Sequence, residues 1–469
     1  MVRAGRLLVL LTAINLINYL DRYVVASVVE PIGEALALDD ARLGRLPFVF
    51  LMVYMLSAPV FGAMGDRWHR PRVVAVAIAA WSLATMSTAF VDSYFALLVT
   101  RSLVGIGEAA YVSLGPAILA DVIPTRQRAA SFTWFYLAVP VGAALGYAVG
   151  GLAAVAWGWR AAFILAGAPG LVFAVWMARQ SDPPRGAMDS VEAPILLGFR
   201  EKMRALIGNR VFVACTVSYM GYTFAMGALS YWWPTLMQRK YGITAGEAGI
   251  VFGVLVIVTG ILGTLAGGKL TDRFQERWPD VGVWLSGVTL LASAPVVAWT
   301  LATATISRAY VGVFIALLLL FVNTSPVNAL LVSSLPAGIR ATGLAFSVLF
   351  VHLFGDAISP ELVGRRSDAL GGTGDALARA LRFVVPALVL SGAALWWART
   401  RPRGRQRATQ PPTIGRMLVR LRSIMKIGEH ELRGGAKANL ESIFVGHERG
   451  CVRHAVHVFT GIRHSQKIK

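Results

Sequence analysis

Twelve apolar segments, each roughly twenty residues long or longer, recur along this chain. A helix of that length crosses the ~30 Å hydrocarbon core of a bilayer. Strands of a membrane barrel would instead show short stretches of alternating polarity. We therefore predict an all-α membrane protein with twelve transmembrane helices. Their predicted ranges are 7–36, 46–64, 73–90, 94–120, 129–152, 161–178, 211–237, 248–270, 281–302, 309–333, 341–363 and 377–398.

Composition and charge distribution agree with a membrane protein. Of 469 residues, 56% are hydrophobic and 15% are charged, too few charges to cover a soluble protein of this size. The net charge of +20 does not indicate nucleic-acid binding, because residues 399–469 alone hold 16 Lys and Arg against 4 acids. The remaining Lys and Arg favour loops on the side of the N-terminus, which places both termini in the cytoplasm by the positive-inside rule. We expect a monomeric protein of the bacterial inner (plasma) membrane with no nucleic-acid partner.

Two loop motifs repeat in the same order at nearly the same offset. Gly-x-x-x-Asp-Arg occurs at 62–67 and at 268–273, and Pro-x-x-x-Arg-Ala occurs at 124–129 and at 336–341. Such a repeat indicates two homologous six-helix halves related by an axis along the membrane normal. The predicted domains are a first half (1–178), a cytoplasmic linker (179–210), a second half (211–398) and a basic, disordered tail (399–469) that suits anionic lipid headgroups.

The Gly-x-x-x-Asp-Arg loops have two interpretations. They are either basic anchors that fix the topology, or a latch that holds the two halves together in one conformational state. A plain anchor needs no Asp at a fixed place, so the latch is favoured. The candidate latch residues are Gly62, Asp66, Arg67, Arg70, Asp272 and Arg273.

Two acids and two arginines interrupt the apolar segments of the first half. Asp21 and Arg22 are adjacent in the first segment, and Arg101 and Glu108 lie in the fourth. A charge at the centre of a membrane helix costs ~2.5–3.5 kcal/mol, so such residues usually face a cavity or a partner. Arg101 and Glu108 are seven residues apart and share one helix face. The four charges form either a proton or substrate site or a fixed ion-pair network between the two helices.

Other polar residues are candidates for lining a cavity, with interhelical hydrogen bonding as the alternative. His352 and Asp356 share a helix face, but two ligands are too few for a metal site, and no cofactor is expected. Three further acids, Glu30, Glu34 and Glu361, are expected to be solvated near the outer surface. The candidate lining residues are Asn15, Asn18, Tyr19, Tyr219, Tyr222, Asn323, Asn328, His352 and Asp356.

Several motifs resemble those of the major facilitator superfamily and, more narrowly, its spinster-like branch. The superfamily motifs lie at 62–72, 101–109, 140–151 and 157–163, and the spinster-like ones at 18–23, 227–234 and 352–360, with Glu108 after the glycines of the fourth segment. The resemblance implies alternating access between two six-helix halves. It also implies proton coupling through Asp21 and Glu108, with Arg22 and Arg101 tuning these acids or meeting an anionic substrate group.

The resulting expectation is a proton-coupled secondary transporter whose partners are the lipid bilayer, protons and a small amphipathic or anionic substrate. The family resemblance suggests a lipid-like substrate such as a sphingoid phosphate or a lysophospholipid. The alternatives are an antiporter or symporter for drugs or small organic anions, and a non-transporting membrane sensor or scaffold. No phosphate-binding loop or nucleophile motif is present, so the sequence supports neither ATP-driven pumping nor an enzyme.

Overall fold

Long α-helices account for nearly all of the chain that the computed structural model describes, namely residues 2–185, 198–335 and 337–399. Twelve helical segments within these ranges are long and apolar enough to cross a membrane, which confirms the predicted number. The helices are α1 (Val2–Ser27), α2 (Val29–Leu36), α3 (Asp40–Arg67), α4 (Arg70–Ser87), α5 (Tyr94–Val122), α6 (Thr125–Trp157), α7 (Trp159–Ala178), α8 (Phe199–Gly208), α9 (Arg210–Tyr241), α10 (Ala245–Phe274), α11 (Val281–Ala302), α12 (Ile306–Ser333), α13 (Ala337–Val351), α14 (Ser359–Ala369), α15 (Gly374–Leu381) and α16 (Val384–Arg399). The predicted tail (399–469) lies outside the described residues, except for Arg399.

Three predicted helices are interrupted. The first, predicted as 7–36, ends at Ser27, and the short α2 follows it. Pro31 explains the break, because its nitrogen has no hydrogen to donate to a carbonyl in the preceding turn. Pro386 has the same effect on the last predicted helix, which is divided into α15 and α16. The eleventh predicted helix contains a π-turn, His352–Asp356, in which Gly355 has φ −99° and ψ −106°.

Polar caps fix the starts of several helices. Asp39 accepts the backbone N–H of Arg42 at 2.8 Å at the start of α3, and Asn209 accepts that of Phe212 at 3.1 Å at the start of α9. Such caps satisfy backbone donors that have no partner within the helix. They place the ends of the predicted spans more sharply than hydropathy does.

Gly142, Gly146 and Gly150 form a glycine face on α6 that packs against α1. A Cβ added at Gly142 would lie 2.9 Å from the Cβ of Tyr19, and one added at Gly146 would lie 3.1 Å from the Cβ of Tyr23. Small residues allow this close approach of two backbones in a membrane. The glycines therefore fix the part of α1 that carries the candidate charge pair.

Candidate transport site

Adjacent residues of α1 send their charges to different helices. Asp21 is fully buried, and its Oδ2 accepts a hydrogen bond from the hydroxyl of Thr85 on α4 at 2.5 Å. Arg22 points to α5, where its Nη2 and Nε donate to Oε2 of Glu108 at 2.6 and 3.2 Å. No Lys or Arg nitrogen of the described ranges lies within 4 Å of the Asp21 carboxylate. Asp21 thus forms no direct ion pair in the described chain, although the charge of Arg101 acts on it from farther away, whereas Glu108 is ion-paired.

Arg101 and Glu108 are both buried in the helix bundle, in agreement with the shared face predicted for them. Arg101 donates to the hydroxyl of Thr88 at 2.8 Å, and its guanidinium carbon lies 5.1 Å from the ring centre of Phe163. It forms no ion pair with an acid of the described chain within 4 Å. The four charges therefore include one tight pair, Arg22 with Glu108, and two charges held by threonine hydroxyls.

A cavity of about 110 Å³ lies between the first and second six spans and has Arg22, Arg101 and Asp356 in its wall. Apolar and aromatic side chains cover most of the remainder. A pocket with a few charges in a mostly apolar wall suits a ligand that carries both kinds of surface. The other lining residues are Tyr23, Val25, Ala26, Leu46, Pro47, Phe50, Leu51, Val104, Gly227, Ser230, Tyr231 and Pro360.

The candidate lining residues Asn15, Asn18 and Tyr19 of α1 are not in the wall of this cavity. Asn15 is buried and donates its amide to the carbonyl of Phe135 on α6 at 2.9 Å. Asn18 is also buried and lies close to the Glu108 carboxylate, although its amide nitrogen makes no hydrogen bond of good geometry within the described residues. The Tyr19 ring centre lies 5.1 Å from the guanidinium carbon of Arg22. Asn15 thus connects two helices, whereas Tyr19 belongs to the charge site.

In the second set of six spans, the candidate polar residues join α9 to α12. The rings of Tyr219 and Tyr222 are stacked at 5.3 Å, and the Tyr222 hydroxyl lies 3.4 Å from that of Thr324. Asn328 donates to the Tyr219 hydroxyl at 3.3 Å. Asn323 is fully buried and has no hydrogen-bond partner in the described part of the chain. Tyr219, Tyr222 and Asn328 thus connect two helices, and a role of the four residues in lining a cavity stays a prediction.

The π-turn brings His352 and Asp356 together, with Nδ1 of the histidine 3.0 Å from a carboxylate oxygen. Gly355 and Gly227 make room for this turn against α9: a Cβ at Gly227 would lie 2.6 Å from the Cα of Asp356. Asp356 consequently reaches the same cavity as Arg22. Within the described ranges, no cluster of three or more metal-ligating side chains occurs.

Of the candidate latch residues, only Arg70 is buried and ion-paired. Its guanidinium contacts Asp121 at 2.5 Å and Asp182 at 2.9 Å, which belong to α5 and to the segment after α7. Asp66 and Arg67 are exposed at the end of α3. Asp272 and Arg273 are exposed at the end of α10, and none of these four residues forms an ion pair within the described residues. A Cβ at Gly62 would meet no atom within 4 Å. The latch between halves stays a prediction.

The opposite end of the bundle is closed by an ion-pair cluster that sequence reasoning missed. Arg239 of α9 donates to Glu30 at 2.6 Å and to Asp40 at 2.9 Å. The carboxylate of Asp368 on α14 accepts the backbone N–H groups of Asp40 and Ala41 at 3.0 and 2.8 Å, capping α3 from another helix. We refer to Glu30, Asp40, Arg239 and Asp368 as the outer cluster, a name taken from the predicted topology.

The expectation that Glu30 and Glu361 are solvated is wrong, whereas Glu34 is exposed as expected. Glu361 is 8% exposed and pairs with Arg45 of α3 at 2.9 Å. Burial raises the pKa of Glu30, and the nearby Arg239 opposes this shift. The signal in the sequence was a set of opposite charges at the same ends of neighbouring spans.

Comparison with known proteins identifies the class. The model of the Major Facilitator Superfamily matches residues 11–360. Protein spinster homolog 1 of Xenopus laevis is 36% identical over 393 residues, which cover 78% of this chain and 74% of the relative. The human homolog 1 is 34% identical over 394 residues, covering 78% of this chain and 74% of the relative. The chain therefore belongs to the major facilitator superfamily and, within it, to the spinster proteins.

Solved structures agree on the fold. A bacterial homolog of the human lysosomal transporter spinster, in an inward-facing and unoccupied conformation, superimposes with a TM-score of 0.73 at 24% identity, covering 84% of this chain and 95% of that one. A D-xylose-proton symporter gives a TM-score of 0.68 at 17% identity, covering 83% and 96%. The chain is a multi-pass membrane transporter and not an enzyme, and it contacts the bilayer and a small substrate.

Proposed function

We propose that this transporter couples substrate movement to protons, with Asp21 and Glu108 as the protonation sites. The observation that carries the proposal is the different pairing of two buried acids. Asp21 has no cation within 4 Å in the described chain, so it can take up a proton without breaking an ion pair. Glu108 holds Arg22, so its protonation releases that cation. Because the two acids have different partners, they bind protons under different conditions, and protonation of one of them can be coupled to binding of a charged substrate.

The transport cycle would alternate between two six-helix halves, 1–178 and 211–398, joined by the linker 179–210. The cavity with Arg22, Arg101 and Asp356 has walls from both halves. The outer cluster joins α3 of one half to α9 and α14 of the other. Opening that end requires these contacts to break. At the other end, four candidate latch residues are exposed and free to approach each other: Asp66, Arg67, Asp272 and Arg273. These features support alternating access around a fixed central site.

An amphipathic, lipid-like anion is the proposed substrate, either a sphingoid phosphate or a lysophospholipid. The two arginines in the cavity wall favour a phosphate or carboxylate group. Leu46, Phe50 and Leu51 beside them offer a surface for an acyl chain. A drug or small organic anion would use the same arginines without the apolar wall, and a sensor or scaffold would exchange no substrate.

We further propose a monomer in the bacterial inner membrane with both termini in the cytoplasm. The excess of Lys and Arg on the side of the N-terminus supports this topology. The polybasic sequence 399–407 would then meet anionic headgroups of the inner leaflet.

Uptake into proteoliposomes under an imposed pH gradient tests the proposal, over a panel of lysophospholipids, sphingoid phosphates and hydrophilic organic anions. The wild type should accumulate a single-chain anionic lipid only when the gradient is present. Asp21→Asn should abolish this dependence, while the matched control Asp92→Asn, an exposed carboxylate paired with Arg160, should not. Accumulation of hydrophilic anions alone would favour the second candidate, and the absence of any exchange would favour a sensor or scaffold.

A further inference from the structure

Three aromatic rings surround the guanidinium of Arg22. Its guanidinium carbon lies 5.1 Å from the ring centre of Tyr19, 5.0 Å from that of Phe50 and 5.0 Å from that of Tyr54. A cation within about 6 Å of a ring centre is attracted by the negative face of the ring. We call Tyr19, Phe50 and Tyr54 the aromatic cage.

The packing of three helices builds this cage. Tyr19 lies one turn before Arg22 on α1, while Phe50 and Tyr54 are four residues apart on α3, with ring centres 6.0 Å apart. Gly105 of α5 lets α3 approach, because a Cβ there would lie 2.6 Å from the carbonyl oxygen of Phe50. The same approach places the rings beside Glu108, which lies one turn after this glycine. The cage and the carboxylate thus depend on one helix contact.

The hydrogen bonds of Arg22 leave one side of its guanidinium free. Nε and Nη2 donate to Glu108, Nη1 donates to no acidic group of the described chain, and the Tyr54 hydroxyl lies close to the guanidinium. The side chain is 18% exposed and reaches the cavity, whereas Phe50 is 6% exposed. A planar guanidinium has two edges that can each grip an oxyanion. One edge is bound to Glu108, and the other is available to an anion in the cavity.

We infer that the aromatic cage positions Arg22 so that this cation keeps its place when Glu108 is protonated and releases it. The rings, which carry no titratable group near neutral pH, replace the carboxylate as the fixed partner of the cation. Arg22 then presents its full charge to an anionic substrate without reorienting its side chain. The inference rests on the proposed proton coupling and adds that Tyr19, Phe50 and Tyr54 are positioning residues for anion binding.

Ring substitutions separate positioning from simple packing. Phe50→Tyr and Tyr54→Phe keep an aromatic face, whereas Phe50→Leu and Tyr54→Leu keep apolar bulk without one. Phe95→Leu is the matched control, because Phe95 is 75% exposed on the surface of α5. The probes are lysophosphatidic acid, which is anionic, and a monoacylglycerol, whose headgroup carries no charged group.

The experiment measures the Kd of both probes for purified full-length protein in detergent across a pH series. The Leu variants in the cage should weaken binding of lysophosphatidic acid by about tenfold, the loss expected for one cation–π contact in a partly desolvated site. Binding of the monoacylglycerol should change little, and the two ring-preserving variants should match the wild type. Equal loss with Leu and with the aromatic replacement, or an equal effect on both probes, would overturn the inference.

A second readout needs no ligand and therefore covers a wild type that binds neither probe. This readout is the Nε–Hε signal of Arg22 in a 1H–15N NMR spectrum, which is assigned by its loss in Arg22→Lys. The signal should stay sharp in Glu108→Gln and should broaden when Phe50→Leu is added. An unchanged signal in the double variant would show that the rings do not hold the cation. If the cage variants behave as predicted but Asp21→Asn keeps pH-driven uptake, the proposed coupling fails while the cage stands.

Discussion

Asp368 of α14 caps the N-terminus of α3, and this contact predicts how far a mutation shifts the equilibrium between the closed and the open outer end. Its carboxylate accepts two backbone N–H groups, of Asp40 and Ala41, from a helix in the other half. Replacing a capping side chain by Ala costs about 0.5–2 kcal/mol. Loss of a negative charge at a helix N-terminus costs a further ~0.3–1 kcal/mol, partly counted in the first figure. We take ~1.4 kcal/mol as the combined loss for Asp368→Ala, which is a tenfold shift toward the open outer end.

Thiol labelling measures this shift. Thr235 is fully buried on α9, one turn before Arg239 and on the same helix face, so opening of the outer end exposes it. In a background of Thr235→Cys with Cys215→Ala and Cys451→Ser, the labelling rate by a membrane-impermeant reagent reports the open population. Asp368→Ala should raise this rate about tenfold, the factor given by a loss of ~1.4 kcal/mol.

Asp375→Ala is the control for this measurement, because the Asp375 carboxylate is 78% exposed and 3.6 Å from Lys240. A surface pair of that kind is worth little. An unchanged labelling rate in Asp368→Ala, or an equal increase in both variants, would refute the reasoning.

Three further outcomes follow from the packing and the charges. Arg70→Ala leaves Asp121 and Asp182 without this cation, so the free energy of unfolding should fall by roughly 3–5 kcal/mol, the loss expected for a broken buried pair. The Tm in detergent should fall with it, whereas Arg67→Ala at an exposed site should not change the Tm. Gly142→Val forces α6 away from α1 and should reduce both Tm and transport, whereas Gly62→Val, which has open space, should be tolerated. Burial raises the pKa of Glu30, so the closed outer end should be favoured as pH falls through that raised value and disfavoured as pH rises. Glu30→Gln should remove this pH dependence from the labelling rate. A pH dependence that persists in Glu30→Gln would exclude Glu30 as its cause.

The number and type of helices could be predicted because a membrane span needs a long apolar run that is visible in the sequence. The breaks near Pro31 and Pro386 were not predicted, because the apolar runs 7–36 and 377–398 continue through both prolines although proline removes a backbone donor. The π-turn at Gly355 was not predicted either, because it depends on close packing against Thr223 of α9, which local sequence does not reveal. Hydropathy thus gave the spans but not their irregularities.

The candidate charges could be found by their cost in a membrane, but their partners could not. Arg22 pairs with Glu108, and Asp21 accepts a hydrogen bond from Thr85, because of helix positions that a single sequence does not specify. The outer cluster is a clearer case: Asp40 and Asp368 are 328 residues apart in the chain. From the sequence alone, acids at the ends of membrane spans are expected to be solvated, because the residue that pairs with them lies on another helix.

The most direct test of the central claim is proton movement during substrate exchange. A pH-sensitive dye trapped in proteoliposomes should report proton flux when lysophosphatidic acid is added to the wild type. In Asp21→Asn, counterflow of labelled against unlabelled lipid should continue while the substrate-dependent proton flux disappears. An Asp21→Asn variant that moves as many protons per substrate as the wild type would contradict the account.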